Sequence, residues 1–401
     1  MTPRDIAVAG CGPAGLAAAL MLHRDEHRVT IFERFEAPRP IGSGLMIQPT
    51  GLAVLRHLGL AEAVLAAGAR IDRLYGEAAP SGRIVLDVGY RALGRRAGFG
   101  IGLHRAALFD ILHRAVVAAG IPIETGRTIA GSEAASSDGR RLLFADGTGA
   151  GPFALVVDAL GNATTLAPPT GRALAYGALW ASLDWPDGAG FDGAALAQRY
   201  RRASVMVGVL PIGMAPGRVV PQTAFFWSLR TDRLEAWRRA GLDPWKEEVR
   251  ALWPATALLL DQIVSPEHLT FARYHHRTLA RPAEPGLIHI GDSWHSASPQ
   301  LGQGANMALL DGYALAKAIR ETAGIADALA RTVALRARHV ALYQAMSAVF
   351  TPVYQSDSRV LPFIRDRIVG PVASRWPATW IQAAMVSGLV GRPLQRLGLA
   401  S

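Results

Sequence analysis

A glycine-rich segment near the start of the chain has the residue types and spacing that bind a dinucleotide. The segment Gly10-Cys11-Gly12-Pro13-Ala14-Gly15 follows an apolar run and precedes an apolar pattern of helical period. In such a segment the first glycine permits a tight turn, the second lets the backbone approach a pyrophosphate, and the third lets the helix pack close to the sheet. Glu33 ends the next apolar run, at the ~20-residue separation expected of an acid that accepts hydrogen bonds from a ribose hydroxyl. The residues predicted to contact the dinucleotide here are Gly10, Gly12, Pro13, Ala14, Gly15, Glu33 and Arg34.

These residues need a strand, a helix and a second strand to position them, and the surrounding sequence predicts that order. The stretch from Ile6 to Leu22 carries no charge and follows Arg4, so it also has features of a signal peptide or a membrane span. Its central glycines and Pro13 would break a spanning helix, and its length is at the short end of the ~17 to 25 residues that cross a bilayer. We therefore predict a β-α-β unit here.

Length, charge and cysteine usage narrow the class of protein. A chain of 401 residues exceeds the ~250 to 300 at which one hydrophobic core stops growing, so two lobes are expected. Cys11 is the only cysteine, which excludes an intramolecular disulfide and dithiol redox chemistry and is typical of a reducing cytoplasm. The net charge of +10 comes from scattered arginines rather than a basic stripe, so we expect anionic small ligands and no nucleic acid. No metal site is predicted.

A second motif lies late in the chain, between Gly291 and Asp311. Its sequence is Gly291-Asp-Ser-Trp-His-Ser-Ala-Ser-Pro-Gln-Leu-Gly-Gln-Gly-Ala-Asn-Met-Ala-Leu-Leu-Asp311. A helix that begins within this segment would present unpaired N–H groups and about half a positive charge to an anionic ligand. The motif resembles GDAAHxxxPxxGxGxN, which belongs to the single-component (class A) FAD-dependent monooxygenases, the para-hydroxybenzoate hydroxylase-like family.

The resemblance implies a fold, a cofactor and several contacts. The expected fold is α/β, with a Rossmann-like FAD-binding lobe, an inserted, mostly antiparallel β-sheet substrate domain and C-terminal helices. Asp292 would hold a ribityl hydroxyl of FAD, and Arg105, at the start of a predicted helix, would contact its phosphate or ribityl region. The remaining cofactor contacts that the resemblance implies, around the flavin ring, are Pro299, Gly302, Gly304, Ala305 and Asn306.

The pattern along the chain predicts where each part lies. Helices are expected at 106–119 and 305–321, whereas short strands with aromatic residues and one amphipathic helix, Leu234 to Trp253, occupy the middle of the chain. The predicted parts are a first FAD-binding part at 1–170, a substrate domain at 171–275, a second FAD-binding part at 276–333 and a C-terminal helical region at 334–401.

The family's middle motif is altered in this chain. The family carries Asp-Gly with a downstream Ser and Arg, whereas this sequence has Val157-Asp158-Ala159-Leu160-Gly161, so that Leu160 replaces the acid. In the family this motif links FAD to NAD(P)H, which leaves the route of flavin reduction open here. Asp158, two places earlier, either compensates or is only a strand-end acid.

The sequence identifies no catalytic base, and the candidates for the substrate pocket are equally often core residues. Strand alternation, or an approach to the loop at 42–44, selects Gln48, Met206, Leu210, Phe225 and Trp227. His295 and Pro299 of the late motif are added to this group. For His295 we favour structural support over a role as a base.

Three functions are considered. The first is an FAD monooxygenase that hydroxylates an aromatic or conjugated small molecule through a flavin hydroperoxide, using O2 and electrons from NAD(P)H. The second is an oxygenase of the same fold that is reduced by a separate reductase or by free reduced flavin. The third is a non-catalytic flavin-binding or membrane-surface protein, suggested by the apolar stretch between Arg375 and Arg392, for which packing against the protein's own body is nevertheless favoured. The oligomeric state is left open.

Overall fold

The computed structural model describes residues 2–37, 43–96, 98–135, 139–370 and 375–400. Gly42, which helped to select the pocket candidates, lies outside these ranges. Within them the chain folds into an α/β lobe with a mostly parallel sheet and a second lobe with a larger, mostly antiparallel sheet.

A six-stranded sheet forms the centre of the first lobe. From edge to edge its strands are β18 (Ala283–Glu284), β19 (Leu287–His289), β12 (Leu155–Asp158), β1 (Asp5–Ala9), β2 (Arg28–Phe32) and β8 (Ile123–Glu124). All neighbours are parallel except β18 and β19. The central strands are apolar and buried on both faces, as expected of parallel strands that are covered by helices.

Helices cover this sheet, flank the second one and form most of the C-terminal region. In chain order they are α1 (Pro13–Arg24), α2 (Pro49–His57), α3 (Ala61–Ala67), α4 (Arg105–Ala118), α5 (Leu234–Ala240), α6 (Leu242–Leu252), α7 (Ala257–Asp261), α8 (Gly304–Glu321), α9 (Ile325–Tyr354), α10 (Val360–Ile364), α11 (Ala378–Val386) and α12 (Pro393–Leu397). The core of the first lobe forms between the sheet and α1, α2, α4 and α8. Helices α1 and α8 approach closely because Gly312 faces Ala18 and Met21.

An eight-stranded sheet forms the second lobe. In spatial order its strands are β20 (His295–Ser296), β17 (Thr270–Thr278), β13 (Arg172–Asp184), β16 (Gln222–Arg230), β15 (Val205–Gly213), β14 (Ala195–Arg201), β5 (Arg73–Ala78) and β6 (Arg83–Gly89). Only β14 and β5 pair in parallel. Two three-stranded sheets complete the fold: β11 (Gly149–Phe153), β10 (Arg140–Phe144) and β9 (Ile129–Ala134) in one, and β3 (Gly44–Ile47), β7 (Gly100–His104) and β4 (Ala69–Ile71) in the other.

The two faces of the eight-stranded sheet have different surroundings. Successive side chains of a strand point to opposite faces. We call the face that packs against α5, α6 and α7 the far face; its core residues include Phe225, Trp227 and Trp245 of α6. The other, the near face, carries Leu210 and Ala224 against β3 of the first lobe.

Several element boundaries differ from those predicted, whereas the predicted helices at 106–119 and 305–321 are confirmed as α4 and α8. Strands β5 and β6 lie within the predicted first FAD-binding part but pair with the second sheet. Helix α9 crosses the predicted start of the C-terminal region at residue 334. The predicted helix from Leu234 to Trp253 is two helices, because Gly241 has φ +81° and ends the first of them.

Among the residues that the model describes, no helix is both long enough and apolar enough to span a bilayer.

Candidate active site

Both predicted halves of the cofactor site lie at the same edge of the parallel sheet. The carboxyl ends of β1, β12 and β19 lead into Gly10, Ala159 and Ile290, and open α/β sheets bind ligands at this edge. Gly291 of the late motif lies against the start of α1, since a Cβ atom built on it would be 3.3 Å from the Ala14 Cβ. The early and late motifs therefore border one cleft.

The glycine segment before α1 has open space for a ligand at Gly12 but no space for a side chain at Gly15. A Cβ atom on Gly15 would overlap the carbonyl oxygen of Gly10, so this position has no room for a side chain. A Cβ atom on Gly12 would meet no protein atom within 4 Å. Helix α1 begins at Pro13 without a side-chain cap, so N–H groups of its first turn are available to a ligand. Space and donors for a pyrophosphate therefore coincide at Gly12.

Glu33 connects the end of β2 to this glycine segment. Its Oε2 accepts a hydrogen bond from the backbone N–H of Cys11 at 2.8 Å, and its Oε1 accepts one from the N–H of Arg34 at 2.8 Å. The Oε1 also accepts a hydrogen bond from the N–H of Phe35 at 3.3 Å, whereas the Oε2 keeps a second lone pair with which Glu33 can accept a ribose hydroxyl. The Arg34 side chain is exposed and stacks on Phe35. Burial raises the pKa of the Cys11 thiol to about 12, so this thiol stays protonated.

Asp292 presents a carboxyl group without a partner to the cleft. Among the residues that the model describes it forms no hydrogen bond and no ion pair. The carboxyl group is accessible from the cleft, but protein surrounds its other sides, and this desolvation raises its pKa against the opposing charges of His295 and Arg105. Arg105 is the exposed first residue of α4. Asp292 is thus free to accept a hydroxyl group of a ligand close to a guanidinium group.

The loop before α8 provides a second place where the backbone is open to a ligand. Pro299 is exposed and starts a single 3-10 turn, after which Gly302 adopts φ +60°. Helix α8 then begins at Gly304 without a side-chain cap, and a Cβ atom on Gly304 would meet nothing within 4 Å. Ala305 is half-buried in the first turn. This helix start therefore offers donors to a ligand as α1 does.

The side chain of Asn306 holds the protein together, so the predicted contact with the cofactor is left to its backbone N–H in the first turn of α8. Its Oδ1 accepts a hydrogen bond from the backbone N–H of Gln48 at 2.8 Å, and its Nδ2 donates to the carbonyl oxygens of Met46 and Gly302, each at 3.0 Å. The side chain is fully buried. Asn306 thus joins β3 to the loop before α8, and its amide group is not free for a ligand.

The cleft fits FAD. Two helix starts without side-chain caps, open space at Gly12 and Gly304, and the free carboxyl group of Asp292 lie along one sheet edge. An extended dinucleotide needs this combination of donors for its phosphates and acceptors for its hydroxyls.

Comparisons with known proteins agree with this fit. Residues 4–127 match a family model described as FAD binding domain. The chain is 28% identical to 3-amino-4-hydroxybenzoate 2-monooxygenase of Streptomyces cremeus over 347 residues, and this alignment covers 78% of each chain. It is 25% identical over 390 residues to aurachin C monooxygenase/isomerase of Stigmatella aurantiaca, covering 93% of this chain and 95% of the relative. The chain is a flavoprotein monooxygenase, similar to FAD-dependent monooxygenases over most of its length.

The fold of this monooxygenase is shared with solved structures. The crystal structure of Klebsiella pneumoniae HpxO complexed with FAD and uric acid has a TM-score of 0.79 at 18% identity, covering 96% of this chain and 97% of that one. The predicted fold class and the predicted FAD are thereby confirmed. The monooxygenase is an enzyme, so the hypothesis of a non-catalytic flavin-binding protein is set aside.

A buried charged network supports the late motif of the monooxygenase. The Asp311 Oδ2 accepts hydrogen bonds from His295 Nε2 at 2.7 Å and from the N–H of Gly291 at 2.9 Å, and its Oδ1 accepts one from Arg336 Nε at 2.7 Å. Burial alone would raise the pKa of Asp311, but the charges of His295 and Arg336 and their hydrogen bonds lower it to about 2. The His295 side chain is therefore bound to a buried carboxylate, an arrangement that suits structural support rather than a role as a base.

The same network reaches the C-terminal region. Arg336 Nη1 lies 2.9 Å from His339 Nδ1, and His339 Nε2 lies 3.2 Å from the carbonyl oxygen of Gly388. Burial, followed by the charge of Arg336, lowers the pKa of His339 to about 3, so His339 is neutral and accepts at Nδ1 while donating at Nε2. Gly388 follows α11, which is thereby connected to the flavin lobe.

Asp158 has a structural role. Its Oδ1 accepts hydrogen bonds from the N–H of Leu160 at 3.0 Å and from Ser293 Oγ at 3.1 Å. Its Oδ2 accepts one from Thr164 Oγ1 at 2.6 Å and lies 2.6 Å from His289 Nδ1. The side chain is fully buried. Asp158 is thus a strand-end acid that holds the sheet edge together, and it does not stand in for the acid replaced by Leu160.

Gln48 points an unpaired donor toward the loop before α8. Its side chain is fully buried, and its Oε1 accepts a hydrogen bond from the Tyr90 hydroxyl at 2.6 Å. Burial raises the pKa of Tyr90, so the hydroxyl stays protonated and fixes the orientation of the amide. In the described part of the chain the Gln48 Nε2 has no partner, and it lies 3.7 Å from the position of a Cβ atom on Gly302. Gly100 leaves room for this arrangement, since its Cβ atom would be 2.5 Å from the Tyr90 hydroxyl oxygen.

Aromatic residues of the near face continue this region. Trp180 of β13 packs against the cluster that contains Met46, Tyr90 and Leu210, and its Nε1 donates to the Tyr274 hydroxyl at 2.9 Å. Burial raises the pKa of Tyr274, so this hydroxyl keeps its own proton for donation. An apolar surface with few polar groups is typical of small-molecule sites.

The predicted pocket candidates separate by sheet face. Leu210 lies on the near face against Met46. Met206 shares that face but packs with Tyr200 and Phe226 at the end of the sheet. Phe225 and Trp227 are on the far face, within 6.1 and 6.3 Å of the Trp245 ring, so their selection as pocket residues is corrected. Strand alternation places them in the core beneath α5 to α7.

Tyr90, Tyr274 and Arg336 were missed by sequence reasoning. For Arg336 a signal existed, because it lies at helical spacing between Thr332 and Val340 on the buried stripe of α9. A charged residue within such a stripe indicates a buried partner. The two tyrosines are distant in sequence from the motifs and carry no comparable signal.

Proposed function

We propose that this monooxygenase hydroxylates an aromatic or similarly conjugated small molecule, with O2 as the oxygen source and NAD(P)H as the electron donor. The unpaired Gln48 Nε2 beside the Gly302 loop is the observation that carries the substrate part of the proposal. A buried donor without a partner costs about 1–3 kcal/mol, which a ligand that accepts from it recovers.

The names of the relatives support a conjugated substrate. One relative is named for 3-amino-4-hydroxybenzoate and another for aurachin C, and the HpxO structure contains uric acid. An aromatic ring with an oxygen or nitrogen acceptor suits an apolar surface that bears Trp180, Leu210 and the Gln48 amide.

The reaction balances when one oxygen atom of O2 enters the substrate and the other leaves as water, with a hydride (two electrons and one proton) from NAD(P)H and a second proton from the solvent. Bound FAD supplies the electron transfer and the activation of O2. The protein would hold FAD through the Gly12 and Gly304 helix starts and Asp292, orient the substrate through Gln48, and exclude water with the near-face cluster. Tyr90 acts through Gln48 and is a positioning residue.

The source of electrons is tested by anaerobic reduction. We expect NADH or NADPH to bleach the flavin absorbance of the holoenzyme within a single turnover when substrate is present. Bleaching by dithionite or free reduced flavin but by neither nicotinamide would refute this part and favour a separate reductase, the alternative that Leu160 raises.

The role of Gln48 is tested by Gln48→Leu, which keeps the volume and removes the donor. We expect kcat/KM to fall about 10- to 30-fold, equivalent to about 1.4–2 kcal/mol, with FAD content unchanged. Steady-state kinetics and the ratio of flavin to protein absorbance measure both. A loss of FAD in place of a change in kcat/KM would assign Gln48 to the cofactor, and no change in either would remove it from the site.

A further inference from the structure

Exposed apolar side chains concentrate in one part of the C-terminal region. Of the fifteen large apolar residues exposed in the described chain, seven lie between residues 360 and 381. Trp376 is 83% exposed and Phe363 is 57% exposed. Single exposed apolar residues are ordinary on protein surfaces, whereas a group of this kind marks an interaction site.

The segment that contains Phe363 faces solvent with its apolar side. Val360, Phe363, Ile364 and Ile368 follow the i, i+3, i+4 and i+8 spacing of one helical face, and all four are exposed. In a helix that packs only against its own protein this face would be buried. The apolar face of this segment therefore points to solvent and not to the core.

A buried arginine holds this segment in place. Arg365 is 1% exposed, pairs with Asp366 at 2.7 Å, and lies 5.0 and 5.2 Å from the rings of Tyr200 and Tyr354. Its Nη2 also donates to the carbonyl oxygen of Arg202 at 3.1 Å. The anchor fixes the segment with its apolar face outward.

The segment that contains Trp376 and Trp380 adjoins the first one. Helix α11 and the turn after α10 both contact β6, the edge strand of the eight-stranded sheet. On α11, Ala383 and Ala384 pack inward against the near-face cluster, whereas Trp380 and Ile381 remain exposed. We define the C-terminal apolar surface by Phe363, Ile364, Ile368, Trp376, Trp380 and Ile381.

The charges around this surface are basic. Arg359, Arg367 and Arg375 are exposed and form no ion pair within the described residues. The only acid between residues 359 and 381 is Asp366, which is paired with Arg365. Free cations beside exposed tryptophans and aliphatic residues match a bilayer surface, where indole rings sit at the headgroups and anionic lipids attract arginine.

We propose that the C-terminal apolar surface binds the surface of an anionic lipid bilayer. A second copy of the chain fits less well, because a two-fold contact through this surface would bring Arg359, Arg367 and Arg375 toward their own equivalents. Since the inner side of α11 packs against the near-face cluster, the bilayer would contact the enzyme beside the proposed substrate region.

Vesicle sedimentation of the full-length holoenzyme tests the proposal. We expect pelleting with vesicles of equal parts phosphatidylglycerol and phosphatidylcholine, and at least about 10-fold weaker binding to phosphatidylcholine alone or at high salt. The double variant Phe363→Ser, Trp376→Ser should reduce binding by about 10-fold or more. The triple variant Arg359→Gln, Arg367→Gln, Arg375→Gln removes charge without touching the core and should reduce it similarly.

Matched controls and a second measurement separate the outcomes. Val219→Ser and Val264→Ser change residues that are 90% and 74% exposed elsewhere, and both should bind vesicles like the wild type. Absence of pelleting by the wild type, or pelleting of the double and triple variants equal to that of the wild type, would overturn the proposal. Light scattering that shows a dimer lost in the double variant, without vesicle binding by the wild type, would assign the surface to self-association and overturn it as well. Flavin content and thermal midpoint verify that each variant is folded.

Discussion

Two neighbouring regions of the cleft differ in whether their buried polar groups have hydrogen-bond partners within the protein. At the cofactor edge, both carboxylate oxygens of Asp158 and of Asp311 have protein donors. Between the Gly302 loop and the end of α11, four polar atoms are buried without a partner in the described chain: Gln48 Nε2, Thr50 Oγ1, Gln303 Oε1 and Ser387 Oγ. At the cofactor edge Arg336 Nη2 is also buried without a partner. Because native proteins rarely leave buried polar groups unpaired, the group of four atoms in the second region indicates a ligand or ordered water there.

The difference shows how the enzyme divides its tasks. The cofactor edge is fixed by hydrogen bonds within the protein, so FAD meets a preformed frame. The second region has polar atoms without partners in the protein, as the substrate recognition proposed above requires. The following predictions test this contrast, beginning with the largest expected effect.

Removing the charge at the centre of the cofactor edge should cost the most. Asp311→Asn leaves the fully buried Arg336 without its counterion, and breaking a buried pair in this way lowers the free energy of unfolding by about 3–5 kcal/mol. Urea denaturation at neutral pH measures the loss. The control Asp261→Asn breaks the exposed pair with Arg250 and should cost less than about 1 kcal/mol. A loss for Asp311→Asn as small as that of the control would show that the network carries little stability.

The same residue predicts a pH dependence. The pKa of Asp311 is about 2 in the folded protein against an ordinary value of 3.8, so its contribution is present above about pH 4 and is lost as the pH falls toward 2. This contribution is about 2 kcal/mol. The difference in unfolding free energy between wild type and Asp311→Asn should therefore narrow between pH 4 and pH 2. A constant difference over that window would contradict the lowered pKa.

The cofactor edge was largely predictable from sequence because local backbone builds it. The turn at Gly10, the open side of Gly12 and the start of α8 are set by residues that are adjacent in the chain. The hydrogen bonds of the Asn306 side chain were not predicted, because its partners Met46 and Gln48 lie far away in the sequence.

The proposed substrate region was less predictable from the sequence because long-range pairing builds it. Strands β5 and β6 show ordinary alternation, and nothing local reveals that they extend the second sheet. Strand alternation selected Phe225 and Leu210 alike as pocket candidates, but the packing of α5 to α7 places Phe225 in the core of the far face. Tyr90 reaches Gln48 across 42 residues of sequence.

Filling the open space of the cofactor edge should abolish FAD binding without unfolding the protein. In Gly12→Val the extended backbone, with φ −81° and ψ 176°, accepts valine, and no protein atom is displaced. The side chain occupies the pyrophosphate position, so FAD affinity should fall at least about 100-fold, or about 2.7 kcal/mol. Calorimetric titration of the apoprotein with FAD measures this.

Gly131→Val is the matched control for Gly12→Val. Gly131 also has open space for a Cβ atom but lies in β9, away from the cleft. This variant should retain FAD. If Gly12→Val binds FAD like the wild type, the pyrophosphate does not lie at Gly12. If Gly12→Val unfolds, this position lacks the open space for a side chain described above.

The smallest effects should come from replacing one aromatic residue on each face of the eight-stranded sheet. Phe225→Leu on the far face loses the contact with Trp245 and should lower the unfolding free energy by about 1–2 kcal/mol while leaving KM unchanged. Trp180→Phe on the near face removes the donor to Tyr274 and should raise KM about 3- to 10-fold. Thermal denaturation and steady-state kinetics of both variants give the comparison. Phe225 is sealed beneath α5 to α7 and can affect KM only by moving the sheet, so an effect of Phe225→Leu on KM as large as that of Trp180→Phe would contradict the assignment of substrate recognition to side chains of the near face.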